Sequence, residues 1–228
     1  MLRAIRRPED RREHSALEMG NLLMLQERER FLVKQFNRRG IRSLEEFRVF
    51  EAGCSAGYNL RLMVQWGARP ENVVGMEIDP LQANYVASRS SQIRVHVGSA
   101  DSIPEGDKTF DLAMAFTLFS SVADEDVAHG IAREMFRITK PGGLIVVYDM
   151  RRRSRNPRVH PVDVEDVRRW FPKCPMRMYP ITLGPPIARL VGRFAPWLYG
   201  PLAAIPPLRT HAMYVMRRPA TSPFDEDA

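Results

Sequence analysis

The segment from Val49 to Gly57 constrains the fold of this chain more than any other. A short apolar run ends at Glu51 and is followed by a turn of small residues that closes at Gly57. Because Gly53 and Gly57 have no Cβ, the backbone there can approach a ligand closely, and a helix that begins after Gly57 would point its N–H groups at that ligand. The pattern is typical of a buried parallel strand that leads into a nucleotide-binding turn.

A second acidic residue supports this interpretation. The apolar segment 72–76 is followed by Glu77, and an acidic side chain about 20 residues after such a turn hydrogen-bonds ribose hydroxyls in nucleoside-binding α/β folds. Strand and helix signals alternate from Val49 to Tyr148, which predicts a parallel sheet with helices on both faces. Ligands bind such sheets at the carboxyl ends of the strands.

Five motifs in the same order resemble those of class I S-adenosylmethionine-dependent methyltransferases. The resemblance runs from Gln26 to Arg217, and its motifs lie at residues 51–57, 74–80, 97–104, 110–115 and 140–147. The first is similar to the family's E-x-G-x-G-x-G signature, and the last to its K/R-P-G-G turn. The resemblance implies S-adenosyl-L-methionine as cofactor and a Rossmann-like α/β fold with a seven-stranded sheet. It also implies that a final antiparallel pair of strands completes the sheet. We expect these two strands near 176–183 and 210–216, with an insertion between them.

The resemblance further implies a cofactor site. Ser55 stands where the family's middle glycine is usual, so its backbone must either reach the turn at negative φ or carry strain. Ser99 stands where an aspartate often contacts the adenine amino group, which leaves Asp101 as the expected partner. The cofactor-binding residues implied in this way are Glu51, Gly53, Cys54, Ser55, Gly57, Glu77, Ile78, Ser99, Ala100, Asp101 and Phe116.

The length of 228 residues suits one α/β domain with an extension. We expect a mobile N-terminal tail over residues 1–15 and a single methyltransferase domain over 16–218 that contains an insertion at 184–208. A C-terminal tail is expected over 219–228.

Three helices can be located from local signals. Asp79 and Asp124 stand immediately before segments with helical signals, so both are expected to be N-caps. Apolar residues recur at helical spacing between Leu17 and Arg39, and Gly40 ends that pattern, which predicts a further helix there.

Charge and cysteine content disfavour several classes of protein. The formal net charge is +7, but the arginines are scattered along the chain, which favours a solvated surface over a nucleic-acid interface. The two cysteines have neither metal-site nor disulfide spacing, which fits a reducing compartment. The N-terminus has no apolar h-region, so we expect neither a signal peptide nor a membrane span. We therefore expect a cytoplasmic protein, with peripheral contact to the inner membrane face left open.

Groups that follow the fifth strand are the predicted acceptor-binding and catalytic residues. The segment 148–158 is rich in arginine, and arginine forks bind phosphate or carboxylate in a bidentate way. Arg151 and Arg152 are therefore expected to contact an anionic acceptor, with an ordinary solvated loop as the alternative. A general base would speed methylation of a hydroxyl by about 10² to 10⁴. Asp149 and His160 are the candidates, although Asp149 could instead orient Arg151 through a salt bridge.

A closer resemblance suggests the acceptor. The segment after strand five, together with residues 182–189 and 207–211, looks like a bacterial methyltransferase subgroup associated with surface-polysaccharide synthesis. It implies O-methylation of a sugar or glycan, free or linked to a nucleotide or lipid, with Arg209 and His211 as further substrate-binding residues. The alternatives are a small natural product or quinone-like lipid as acceptor, and a cofactor-binding protein without catalysis. No metal is predicted, since no acidic residue lies between strand four and Asp124.

The insertion is the least generic part of the sequence. Residues 185–207 are dense in large apolar residues and prolines, and only Arg189 and Arg193 are charged. The segment is too broken for a transmembrane helix. It could form a lid over the active site, an interfacial segment that meets a lipid-linked substrate, or a dimer contact. A lid is favoured because packing is the ordinary fate of apolar residues, and the oligomeric state stays open.

Overall fold

Strands and helices alternate along the part of the chain that the computed structural model describes, which is residues 15–152, 156, 159–221 and 224. The strands are β1 (Val49–Ala52), β2 (Val73–Glu77), β3 (Arg94–Val97), β4 (Phe110–Phe116), β5 (Thr139–Met150), β6 (Met176–Leu183) and β7 (Arg209–Arg217). The helices are α1 (Met19–Arg38), α2 (Tyr58–Gln65), α3 (Pro80–Arg89), α4 (Glu125–Ile138), α5 (Val164–Trp170), α6 (Pro185–Phe194) and α7 (Tyr199–Ala203). Short 3₁₀ turns lie at Pro70–Asn72, Phe119–Ser121, Pro196–Leu198 and Pro206–Leu208.

The strands form one sheet in the order β3-β2-β1-β4-β5-β7-β6, which confirms the predicted seven-stranded α/β fold. Strand β1 pairs in parallel with both β2 and β4, β2 pairs with β3, and β4 pairs with β5. The chain therefore moves outward from β1 to β3 and then returns to the other side of β1. Since parallel crossovers are right-handed, α2 and α3 cover one face and α4 the other. A crevice opens at the carboxyl ends of β1 and β4, where the direction reverses.

The predicted helix starts are confirmed. Asp79 caps α3 by accepting a hydrogen bond from the N–H of Leu81 at 2.9 Å. Asp124 caps α4 in the same way, with the N–H of Asp126 as a donor at 3.0 Å. Helix α1 lies inside the span 17–39 that the periodic pattern predicts. Local capping and periodicity therefore suffice to locate these helices.

The core lies between the sheet and its helices. Strands β1 and β2 are buried along their whole length, as expected for parallel strands covered on both faces. The rings of Phe50 and Phe110 lie 5.3 Å apart between centroids, and Trp170 of α5 stacks on Phe119 at 4.6 Å. Helix α4 contributes the buried apolar side chains of Ile131, Met135 and Ile138.

The chain divides into two compact units. The helical unit comprises residues 1–42 and 179–212, and the sheet unit comprises 43–178 and 213–228. The division falls inside β6 and β7, so the predicted insertion belongs to the helical unit. The single domain expected over 16–218 stays a prediction. The tails expected at the two chain ends lie mostly outside the described residues.

Within the helical unit, α1 and α6 cross at small residues. A Cβ added to Gly20 would overlap the backbone of Ala188, and one added to Gly192 would overlap the backbone of Gly20. Beside the crossing, a cluster of buried apolar side chains includes Val191 and Tyr199, and the Tyr199 hydroxyl donates to a carboxylate oxygen of Glu27 at 2.6 Å. The insertion is thus packed on α1 through one of its faces.

Two predicted substrate-binding residues also lie in the helical unit, at the start of β7. The Arg209 guanidinium donates to the carbonyls of Ala203 and Pro180 at 2.5 and 2.9 Å. His211 is only 7% exposed, and burial together with the nearby charge of Arg28 lowers its pKa to about 4. These contacts favour a structural role for both side chains, so their role in substrate binding stays a prediction.

The helix crossing can be tested by adding a methyl group. We expect Gly20→Ala to lower the free energy of unfolding by about 1–3 kcal/mol, because the added Cβ overlaps backbone atoms of α6 that cannot rotate away. Gly200→Ala is the control: no atom lies within 4 Å of a Cβ added there, so the change should be neutral or slightly stabilising. Urea unfolding followed by circular dichroism measures both. Equal midpoints for the two variants would contradict the close crossing.

Burial of neutral His211 predicts a pH dependence of stability. The unfolded chain protonates this residue below about pH 6.5, whereas the folded protein keeps it neutral down to about pH 4. The unfolded state therefore gains a proton first, and stability falls as pH drops through this window. Between pH 7 and pH 5 the parent should lose about 2 kcal/mol more than His211→Gln does. The control His129→Gln, at a side chain 43% exposed, should lose as much stability between pH 7 and pH 5 as the parent does. If the parent and His211→Gln lost equal amounts, His211 would not be a buried neutral residue.

Candidate active site

The turn after β1 is built from left-handed backbone. Gly53, Ser55 and Gly57 have φ values of 65°, 49° and 72°, and α2 begins directly afterwards at Tyr58. Glycine tolerates this region, but a serine there is strained by about 1–3 kcal/mol. Of the two possibilities that the sequence leaves for Ser55, the strained one is therefore adopted.

The carboxylate of Glu77 holds this turn in place. Its Oε2 accepts a hydrogen bond from the N–H of Ser55 at 2.7 Å, and its Oε1 accepts one from the N–H of Asp79 at 3.1 Å. Glu77 is 3% exposed, so these charge-assisted bonds lie in a largely dry environment. The turns after β1 and β2 are thereby tied together, and lone pairs remain on the carboxylate for further donors.

Glu51 also anchors the segment that follows β1. It is 1% exposed, and its Oε1 accepts a hydrogen bond from the side-chain amide of Asn59 at 2.5 Å, which fixes the start of α2 to β1. Sequence analysis missed Asn59, since no local signal marks a residue that pairs eight positions away. Burial and the nearby charges of Glu51 and Glu77 raise the pKa of the Cys54 thiol. The thiol therefore stays neutral.

The remaining predicted cofactor residues follow neighbouring strands. Ile78 comes directly after β2 and is 53% exposed. The loop after β3 contains Ser99, Ala100 and Asp101, of which Ala100 is buried and the other two are half-buried. Phe116 ends β4 with its ring edge against Tyr148, at 5.6 Å between centroids. All of them therefore lie beyond or at the carboxyl ends of β2, β3 and β4.

Strand β4 ends in a second strained residue. Thr117 has a φ of 53°, a genuine outlier for a β-branched side chain; its N–H donates to the carbonyl of Tyr148 at 2.7 Å. The following side chain, Leu118, lies 2.8 Å from the position that a Cβ on Gly53 would occupy. Sequence analysis missed both residues, although their place after the fourth parallel strand, beside the crevice, is a usable signal.

Both candidate bases, Asp149 and His160, form hydrogen bonds with the backbone of Ser120. Asp149 is 0% exposed, and its carboxylate accepts hydrogen bonds from the N–H groups of Ser120 at 3.1 Å and Met150 at 2.8 Å. His160 donates its backbone N–H to the carbonyl of Ser120 at 3.0 Å. Burial raises the pKa of Asp149, while its hydrogen bonds and the charge of His160 oppose the rise. This burial favours a positioning role for Asp149. His160 is half-buried, and its role as a general base stays a prediction.

The basic segment after β5 is described only in part. Arg151 is half-buried and Arg152 is exposed, whereas residues 153–155 and 157–158 lie outside the described residues. Between the described side chains, no ion pair joins Asp149 to Arg151. An acceptor-binding role for these arginines stays a prediction.

The arrangement fits the implied cofactor. The glycine turn lets the backbone approach a ligand, and the anchored Glu77 carboxylate has capacity to accept ribose hydroxyls. The loop with Ser99 and Asp101 would hold the base, and Phe116 would supply an apolar wall. In the described ranges, no group of three or more His, Cys, Asp or Glu side chains is arranged to hold a metal ion.

Comparison with known sequences agrees with this geometry. Residues 50–147 match the family model described as a methyltransferase domain. A ubiquinone biosynthesis O-methyltransferase of Azorhizobium caulinodans is 28% identical over 150 residues, which cover 62% of this chain and 56% of the relative. A probable S-adenosylmethionine-dependent methyltransferase of Mycolicibacterium smegmatis is 27% identical over 109 residues, which cover 48% and 40%. The chain thus spans about half the length of the curated relatives that it matches.

Solved structures show the same fold. A putative sarcosine dimethylglycine methyltransferase from Galdieria sulphuraria aligns with a TM-score of 0.59 and 16% identity, over 83% of this chain and 84% of that one. The [4+2]-cyclase SpnF aligns with a TM-score of 0.55 and 17% identity, over 82% of each chain. At these identities the likeness concerns the fold alone. Together with the family match, it indicates that residues 50–147 form a methyltransferase domain.

Proposed function

We propose that this protein transfers a methyl group from S-adenosylmethionine to an oxygen atom of a small, phenolic or quinone-like acceptor. The observation that carries the proposal is the Glu77 carboxylate, which is buried and anchored by the N–H groups of Ser55 and Asp79. An acidic group fixed at the end of β2, beside a turn that contains two glycines, is the arrangement that binds a nucleoside in α/β folds.

The main role proposed for the residues of the crevice is to bind and orient the cofactor and the acceptor rather than to react with them. When bound, the cofactor supplies an activated methyl group on a sulfonium. Glu77 fixes the ribose end, and the backbone of Gly53 and Gly57 permits close approach. Phe116 and Leu118 provide apolar walls that exclude water. In-line transfer depends mainly on such alignment in a dry pocket.

An acceptor hydroxyl would lose its proton to His160 in this proposal. Asp149, held by the N–H groups of Ser120 and Met150, would keep the loop that hydrogen-bonds to the His160 backbone in position. Arg151 and Arg152 are proposed to contact any negative charge on the acceptor. The proposed roles of these four residues are independent of the cofactor-site assignment.

The choice of acceptor follows the names of the relatives. Curated relatives, including the one from Azorhizobium caulinodans, are named for ubiquinone biosynthesis, which favours the quinone-like alternative. The sugar or glycan acceptor suggested by subgroup resemblance finds no support in these names. It remains a second candidate only because arginine follows β5, where an anionic glycan would be recognised.

A non-catalytic role is the alternative from another class. The likeness to the cyclase SpnF illustrates that one fold supports different reactions. Binding of the cofactor and transfer of its methyl group must therefore be measured separately.

The cofactor site is tested by removing its carboxylate. We expect Glu77→Ala to weaken S-adenosylmethionine binding at least tenfold in calorimetry, because it loses the charge-assisted ribose contact and loosens the Ser55 turn. Glu77→Gln should fall in between, since an amide oxygen still accepts one of the two backbone bonds. Glu71→Ala, at an exposed acid before β2, is the matched control and should bind as the parent does. Unchanged affinity in a folded Glu77→Ala protein would rule out the ribose assignment.

The reaction is tested with methyl-labelled cofactor. Incubation of the protein with fractionated bacterial extract should label the fraction that contains hydroxylated quinones and phenols, and Glu77→Ala should abolish this labelling. His160→Gln should lower kcat while leaving cofactor affinity unchanged, because the base acts only on the acceptor. Labelling confined to glycans would establish the sugar alternative. Cofactor binding without label in any fraction would favour the non-catalytic role.

A further inference from the structure

The helical unit exposes large apolar side chains at the end of α6 and in the turn after it. Leu190, Phe194 and Trp197 are 61%, 71% and 75% exposed, respectively. Leu190 lies within α6, Phe194 ends that helix, and Trp197 lies in the following 3₁₀ turn. The three side chains therefore occupy successive turns of the segment. We call Leu190, Arg193, Phe194 and Trp197 the α6 patch.

These side chains are not needed to hold the segment in place. The opposite face of α6 is buried at Ala188, Val191 and Gly192, where the helix crosses α1. Leu198 and Leu202 pack into the same buried cluster, beside Tyr199 and Ala203. The segment is therefore fixed by one face and exposes Phe194 and Trp197 on the other.

The charge along the segment 185–207 has a single sign. No Asp or Glu occurs between residues 167 and 224, and the only charged residues between 185 and 207 are Arg189 and Arg193. Arg193 is exposed, and its guanidinium lies over the ring of Phe194 at 5.3 Å. A partner complementary to this surface is thus apolar in part and negative in part.

We propose that the α6 patch docks this protein on the surface of a bilayer that contains anionic phospholipid. Tryptophan and phenylalanine rings insert at the boundary between headgroups and acyl chains, and an adjacent arginine binds lipid phosphate. Over the described ranges, no helix is long and apolar enough to cross a membrane, so α6 would lie in the plane of the surface. A symmetric contact with a second copy is less favourable, because it would bring Arg193 near Arg193 of the other copy.

The inference stands apart from the proposed methyl transfer, since docking is measured without turnover. In sedimentation with vesicles, we expect the parent to bind phosphatidylcholine vesicles that contain about 30% phosphatidylglycerol at least tenfold more tightly than pure phosphatidylcholine vesicles. Salt should weaken the anionic preference. The triple variant Leu190→Ser, Phe194→Ser, Trp197→Ser should lose at least tenfold in binding, and Arg193→Gln should lose most of the anionic preference.

A matched control uses exposed apolar residues elsewhere. Leu81 and Tyr85 on α3 are 62% and 46% exposed, and Leu81→Ser with Tyr85→Ser should bind vesicles as the parent does. Brominated lipid should quench the fluorescence of Trp197; Trp197→Phe should still bind but lose most of this quenching. Thermal unfolding of each variant checks that the fold is kept.

Three results would overturn the proposal. The first is failure of the parent to bind anionic vesicles, or equal binding by the folded triple variant. The second is a parent that does not bind vesicles but forms a concentration-dependent dimer in gel filtration, with no dimer in the triple variant. This result would assign the patch to contact with a second copy. Loss of turnover on a soluble acceptor in the triple variant, again with no vesicle binding, would assign the segment to a lid instead.

Discussion

The candidate active site depends on one buried carboxylate. Glu77 accepts hydrogen bonds from the N–H groups of Ser55 and Asp79, so the turns after two adjacent strands share a single anchor. The anchor also explains how Ser55 can persist at a φ of 49°, because the charge-assisted bond offsets backbone strain of about 1–3 kcal/mol. Without it, the turn between β1 and α2 would lose the side-chain bond that ties Ser55 to the end of β2.

The order of the strands decides which residues surround that anchor. Since β1 pairs with both β2 and β4, the turn at Gly53 faces the residues after β4, and Leu118 borders the space beside Gly53. Strain recurs there at Thr117. Two strained non-glycine residues at neighbouring strand ends indicate a site whose backbone is held for binding rather than for stability alone.

The helical unit is held together by different interactions. Its segment 185–207 is held by close backbone contact at Gly20 and Gly192 and by a small apolar cluster, whereas Phe194 and Trp197 stay exposed. Packing therefore accounts for only part of the apolar residues that the sequence analysis expects to be buried as a lid. The exposed residues next to Arg193 are what motivates a membrane surface as the partner.

The sequence by itself determines the alternating α/β fold class and the glycine turn, because these depend on local periodicity, capping residues and glycine positions that act over a few residues. The number of seven strands follows instead from the family resemblance. The sequence also singles out Glu77, although only the tertiary structure ties that carboxylate to Ser55. Contacts between distant segments decide the rest: Asp149 is buried against Ser120, Arg209 is engaged by backbone carbonyls, and His211 is enclosed near Arg28. No pattern in the chain encodes such burial, since it arises only when strands remote in sequence become neighbours.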